Sequence, residues 1–169
     1  MRQRRDYGPQ PSIAEPRPVL LRAVRAFVQA AAQCAGVHRI ALVGSLATDK
    51  AVPKDADVLM TIDHPMDLAR LAPIGRRLKG EAQKINLGAD IFLADTNGRY
   101  VGRICGYREC HHRMACDAQH CGGHDHLNDD LHVVTLKPDL IAAPPLDLWP
   151  AVVRRAVLPD DVEAILLTA

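Results

Sequence analysis

Asp55 and Asp57 stand one residue apart at the mouth of an apolar run, in "VGSLATDKAVPKDADVLMTI", residues 43–62. In an extended strand, residues two apart point to the same side with Cα atoms roughly 6.5–7 Å apart, so these carboxylates project together. They repel one another unless cations hold them, and hard oxygen ligands beside substrate phosphates are what Mg²⁺ accepts. A pair of such ions clamps the attacking and leaving oxygens of a phosphoryl-type displacement. Asp90 opens another apolar run, "DIFLA", and can supply a third carboxylate from a neighbouring strand. Gly44-Ser45 closes the run before the pair. There glycine lets backbone approach a ligand, and the serine hydroxyl with successive N–H groups can hold phosphate oxygens. Together these residues describe a site for a nucleoside triphosphate and metal, although each part alone also fits a solvated strand start or a plain turn.

A second group is "CGYRECHHRMACDAQHCGGHDH", with spacing C-x4-C-x5-C-x4-C. Zn²⁺ takes four N or S ligands tetrahedrally from short loops that fold around it. Cys105, Cys110, Cys116 and Cys121 are the expected ligands of one structural zinc. His111, His112, His120, His124 and His126 lie among them, and His111 or His124 can displace Cys105. Metal binding would supply folding free energy that so apolar-poor a segment lacks. Free thiols and a disulfide are the alternatives. Arg76, Arg77 and Lys79 form a basic cluster that reads either as a solvated helix face or as a reach toward phosphates.

The elements that must position these residues follow from periodicity. Residues 1–18 hold four prolines and several basic residues without period, and read as an irregular arm. From Val19 to Ala35 apolar residues recur at three- and four-residue steps, predicting an amphipathic helix ended by Gly36. "HRIALVG", "ADVLMTI" and "ADIFLAD" predict three buried strands. A helix containing Pro73 and Gly75 lies between the second and third, with a kink or break expected at those two residues. Asn97-Gly98 predicts a hairpin into a fourth strand at "RYVGRIC". "LHVVTL" reads as a last strand, and the tail as two short helices, the second opening at Pro159. Asp129 and Asp130 read as a turn before that last strand, with the option of adding to the metal site.

The helix-strand-turn-strand-helix-strand order predicts an α/β (α+β) fold, a mixed sheet flanked by helices. Its expected divisions are an arm at 1–18, a core at 19–104, a zinc-binding segment at 105–128, and a C-terminal strand and helices at 129–169.

Gly44-Ser45, nine intervening residues, Asp55-Ala56-Asp57 and the later Asp90 resemble the signature of the DNA polymerase beta-like nucleotidyltransferase superfamily, chiefly its small, minimal bacterial members. The resemblance covers about residues 20–95. It implies that Asp55, Asp57 and Asp90 hold two Mg²⁺ ions, that Gly44 and Ser45 contact an ATP-like triphosphate, and that Asp90 activates the attacking hydroxyl. Where many members carry arginine after the serine, this chain offers Lys50 or Lys54. The implied reaction transfers a nucleoside monophosphate to a hydroxyl of a small molecule, a protein or an RNA. The alternatives are a degenerate domain of the same fold that binds without turnover, such as a toxin-antitoxin component, and a scaffold whose working part is the Cys/His segment.

Composition sets bounds. The chain has 169 residues with a formal net charge of +1, without the basic excess of a dedicated DNA binder. No run approaches the ~20 apolar residues that span a bilayer, and no apolar stretch follows the basic N-terminus, so a cytoplasmic protein with no membrane partner is expected.

Overall fold

The computed structural model describes residues 15–108 and 116–168. Helix α1, Pro16–Ala31, begins with Pro16 at its first position, where a missing N–H breaks no helical bond. The helix therefore starts inside the stretch expected to be irregular. Leu20, Val24, Phe27 and Ala31 form its buried stripe, each worth about 1.5–3 kcal/mol if fully buried, Ala31 less. The chain leaves the helix at Ala31, short of Ala35, through turns in which Gln33 and Cys34 N–H groups donate to Ala30 and Ala31 carbonyls.

Strands β1 (Val37–Val43), β2 (Asp55–Ile62), β3 (Gly88–Ala94) and β4 (Tyr100–Ile104) match the four apolar runs. Helix α2, Leu71–Gln83, joins β2 to β3, the crossover that a parallel pair requires. It starts late enough for Pro73 to fall in its first turn, so the helix is continuous there and not split. The remaining elements are β5 (Leu127–Asn128), α3 (Pro138–Ala142), β6 (Leu146–Trp149), β7 (Val153–Arg154) and a π-helical segment, Val162–Leu166. They complete a seven-stranded mixed sheet in the order β5-β4-β3-β2-β1-β6-β7. The fold is a mixed α+β arrangement.

Strand periodicity divides the sheet into two faces. Ala56, Val58, Met60 and Ile62 of β2 enter the main core with α1 and α2. Leu59 points the other way, into a smaller cluster with Ala41, Val43, Ala94 and Ile141. Asp55 and Asp57 share the parity of Leu59, so they emerge on the thinly covered face away from the two long helices.

Two C-terminal expectations are corrected. "LHVVTL" is not a strand: the chain turns at Asp130, whose carbonyl accepts from the Val133 and Val134 N–H groups, and Leu131 and Val133 stay exposed. The first expected C-terminal helix is instead the β6–β7 hairpin, because Leu146 and Asp147 pair with both β1 and β7. The helical segment after Pro159 is present. Among the described residues, no helix is long and apolar enough to cross a membrane.

Candidate active site

Parallel pairing of β2 with β3 sets Asp55 opposite Gly88 and Asp57 opposite Asp90. Asp55, Asp57 and Asp90 each offer a carboxylate oxygen, and these three atoms lie within 4.8 Å of one another. Among the described residues this is the group of His, Cys, Asp or Glu side chains able to share a metal ion. All three are half-buried. Burial first, then the charges of Asp90 and Asp55, push the Asp57 carboxyl up to about 7, against the opposing charge of Arg103. Divalent cations with oxygen preference fit this donor set, since they neutralise the repulsion that raises Asp57.

Two glycines make room for the carboxylates. Gly44 follows β1 at φ +70°, and a Cβ there would collide with Asp57 Oδ2. A Cβ at Gly88 would likewise collide with Asp55 Oδ1. Ser45 opens a one-turn 3₁₀ helix, Ser45–Ala47, beside this cluster. Arg17 of α1 holds that turn in place. Its guanidinium donates to the carbonyls of Leu46 (3.1 Å) and Lys50 (2.9 Å) and pairs with Asp161 at 2.6 Å. The side chains of Lys50 and Lys54 lie on the exposed loop between the turn and β2, without an ion-pair partner among the described residues.

The sequence reading missed the cation beside the cluster. Arg103 of β4 donates from Nη1 to Asp90 Oδ1 at 2.9 Å, and from Nε to Asp130 Oδ2. Asp130 is fully buried and also accepts from the Tyr100 hydroxyl at 2.7 Å. Burial and that bond raise the Tyr100 phenol above its ordinary range. Asp130 is thus neither a plain turn residue nor part of the carboxylate cluster; it anchors the arginine that reaches Asp90. An arginine within the apolar run "RYVGRIC" was the available signal.

The cysteines divide. Cys105 and Cys116 are free thiols that line one cavity next to Asp90, whereas Cys121 is disulfide-bonded. Cys110, His111 and His112 lie outside the described residues. A disulfide sulfur is not a thiolate, so in this state Cys121 offers zinc no ligand. The described histidines are engaged separately. His120 donates from Nδ1 to Asp129, His124 from Nε2 to the Met66 carbonyl, and His126 Nδ1 accepts from Arg76.

No curated protein and no solved structure matches the chain. One family matches residues 7–121, a stretch that contains Gly44, Ser45, Asp55, Asp57, Asp90 and Arg103. That stretch is more than half of the 169 residues, and the chain belongs to this family, DUF6932, described as a family of unknown function.

Proposed function

We propose that the protein is a metal-dependent nucleotidyltransferase of the polymerase beta-like kind, moving a nucleoside monophosphate from a triphosphate to a hydroxyl. The observation that carries this reading is the meeting of Asp55, Asp57 and Asp90 on adjacent parallel strands, with the Gly44-Ser45 turn against Asp57. Asp55, Asp57 and Asp90 would hold Mg²⁺, which when bound neutralises charge on the triphosphate and its leaving group. Ser45 and the backbone of its turn hold phosphate oxygens on the β1 flank of the cluster. The acceptor oxygen bonds to the α-phosphorus, the bond from that phosphorus to pyrophosphate breaks with its electron pair, and the acceptor proton passes to Asp90. Arg103 on Asp90 Oδ1 fixes the orientation of that carboxylate.

The same ion pair favours a second reading. A guanidinium that neutralises Asp90 can stand where a cation would, as in a binding module of the same fold that has lost turnover. One experiment separates the two: the protein is incubated with each labelled nucleoside triphosphate, Mg²⁺ or Mn²⁺ and cell extract, beside the Asp55→Ala, Asp57→Ala double variant. The transferase reading expects label on an acceptor with wild type only. Triphosphate binding without transfer would select the binding module, and neither binding nor transfer would sink both.

A further inference from the structure

The β3–β4 ladder covers only Phe92 to Ala94 of β3, so residues 88–91 have no ladder partner on that side among the described residues. A cavity of about 350 Å³ fills the opening, within the size range of small-molecule sites. Asp90 and Arg103 form one wall, Arg76 and Lys79 of α2 another, and Asn128 a third. It lies on the β4 flank of the carboxylates, while the Gly44-Ser45 turn lies on the β1 flank.

Its charges are unbalanced. Arg103 is matched by Asp90 and Asp130, with Asp117 of the same lining 3.9 Å from its Nη2, but neither Arg76 nor Lys79 has a carboxylate within ion-pair distance among the described residues. Arg76 donates from Nη2 to the Tyr107 carbonyl and to His126, both neutral acceptors or able to be so. The Arg76 Nε and the Asn128 Oδ1 are buried with no hydrogen-bond partner among the described residues. A buried donor on a cation and a buried acceptor nearby are costly when left unmade, and both belong to residues that line this cavity. Lys79 lies over Gly106, where a Cβ would meet its Nζ at 3.1 Å.

We infer that this cavity is the acceptor site, and that the acceptor is a small alcohol carrying a phosphate group. Two unmatched cations suit a phosphate dianion better than a singly charged carboxylate, and Arg76 offers the planar donor set that phosphate oxygens accept. Asn128 Oδ1 accepts a hydrogen bond from a hydroxyl of the same molecule. With its phosphate on Arg76 and Lys79, the acceptor presents a second hydroxyl toward Asp90, across the cluster from the triphosphate. The inference rests on the transferase reading for the word acceptor, but the phosphate site can be measured without it.

Calorimetric titration of metal-free protein with glycerol phosphate, and with glycerol as control, reads the site directly. The expected result is binding of glycerol phosphate but not glycerol, weakened about tenfold or more in the Arg76→Gln, Lys79→Gln double variant. Lys79→Gln alone removes no hydrogen bond or ion pair within the described structure and is expected to weaken it about threefold. The Asp55→Asn, Asp57→Asn variant should retain this binding, which separates the cavity from the metal cluster. In the labelled-triphosphate assay, transfer to glycerol phosphate should exceed transfer to glycerol about tenfold, a preference lost with Arg76 and Lys79. No phosphate binding by wild type, or equal binding by the variants, overturns the site whatever the carboxylates do. Phosphate binding with equal transfer to both alcohols overturns the acceptor assignment.

Discussion

Asp57 and Asp90 are direct register partners on the parallel strands β2 and β3, and each contributes an oxygen to one cluster with Asp55. Burial raises the cost of charging Asp57, and the neighbouring carboxylates of Asp90 and Asp55 add repulsion. In the metal-free protein the carboxyl of Asp57 is accordingly pushed up to about 7.

That shift has a sign in stability. The folded state keeps a proton on Asp57 that the unfolded chain releases near its ordinary 3.8. The contribution is fully present below that value and is lost as pH rises through about 7. Urea unfolding in chelator should show wild type losing stability between about pH 4 and 7. Asp57→Asn should lack this part of the loss and be more stable at pH 8 by about 1–2 kcal/mol, less than the full shift because three carboxylates share it. Mn²⁺ should restore wild type at pH 8 and leave the variant unchanged; equal profiles for the two proteins would remove the strained cluster.

Gly44 carries both a left-handed φ and the close approach to Asp57. Gly44→Ala strains the turn and displaces the carboxylate, so stability should fall by about 1–2 kcal/mol. Mn²⁺ affinity, followed by electron paramagnetic resonance, should fall about tenfold. A fully metal-competent Gly44→Ala protein would mean that the turn does not set the position of Asp57.

Asp130 is buried with Arg103 and Tyr100 as its partners. Asp130→Asn leaves Arg103 with only Asp90 and the distant Asp117, and should cost about 2–4 kcal/mol in chemical denaturation. Tyr100→Phe removes one bond and keeps the ion pair, so about 1 kcal/mol is expected. Reversal of that order would place the phenol, not the arginine, as the main support of Asp130.

Cysteine state decides the metal question for residues 105–121. With Cys121 in a disulfide, the protein should bind no zinc at this segment, and thiol titration should find Cys34 only after unfolding because it is buried. Reduction breaks that bond and frees both of its sulfurs as thiols. Elemental analysis after reduction and zinc addition should then find about one zinc per chain, lost again in Cys116→Ser. Zinc retained by the oxidised protein would require histidines in place of the disulfide sulfurs.

Much of the scaffold was legible because period and composition are local. Alternation in "ADVLMTI" and "ADIFLAD", the Asn97-Gly98 turn and the α1 stripe each encode an element without reference to the rest of the chain. "LHVVTL" misled because Leu131 and Val133 are exposed once Asp130 turns inward to meet Arg103, a contact between positions 27 residues apart. The hairpin at 146–154 was missed for a similar reason: its pairing with β1 comes from more than a hundred residues away.

By itself the sequence determined that Asp55 and Asp57 share a face, since a period of two is built into any strand. It also determined that a Gly-Ser turn precedes them and that a third aspartate opens a later apolar run. Only the tertiary structure decided that Asp90 lies opposite Asp57, because the parallel pairing of two strands joined through a helix is a long-range contact that spacing along the chain does not give. The same folding brought Arg103 onto Asp90 and, among the described residues, left Arg76 and Lys79 without a carboxylate partner beside it. Charge matching across strands and helices is a property of three-dimensional neighbours, which the spacing of residues along one chain does not encode.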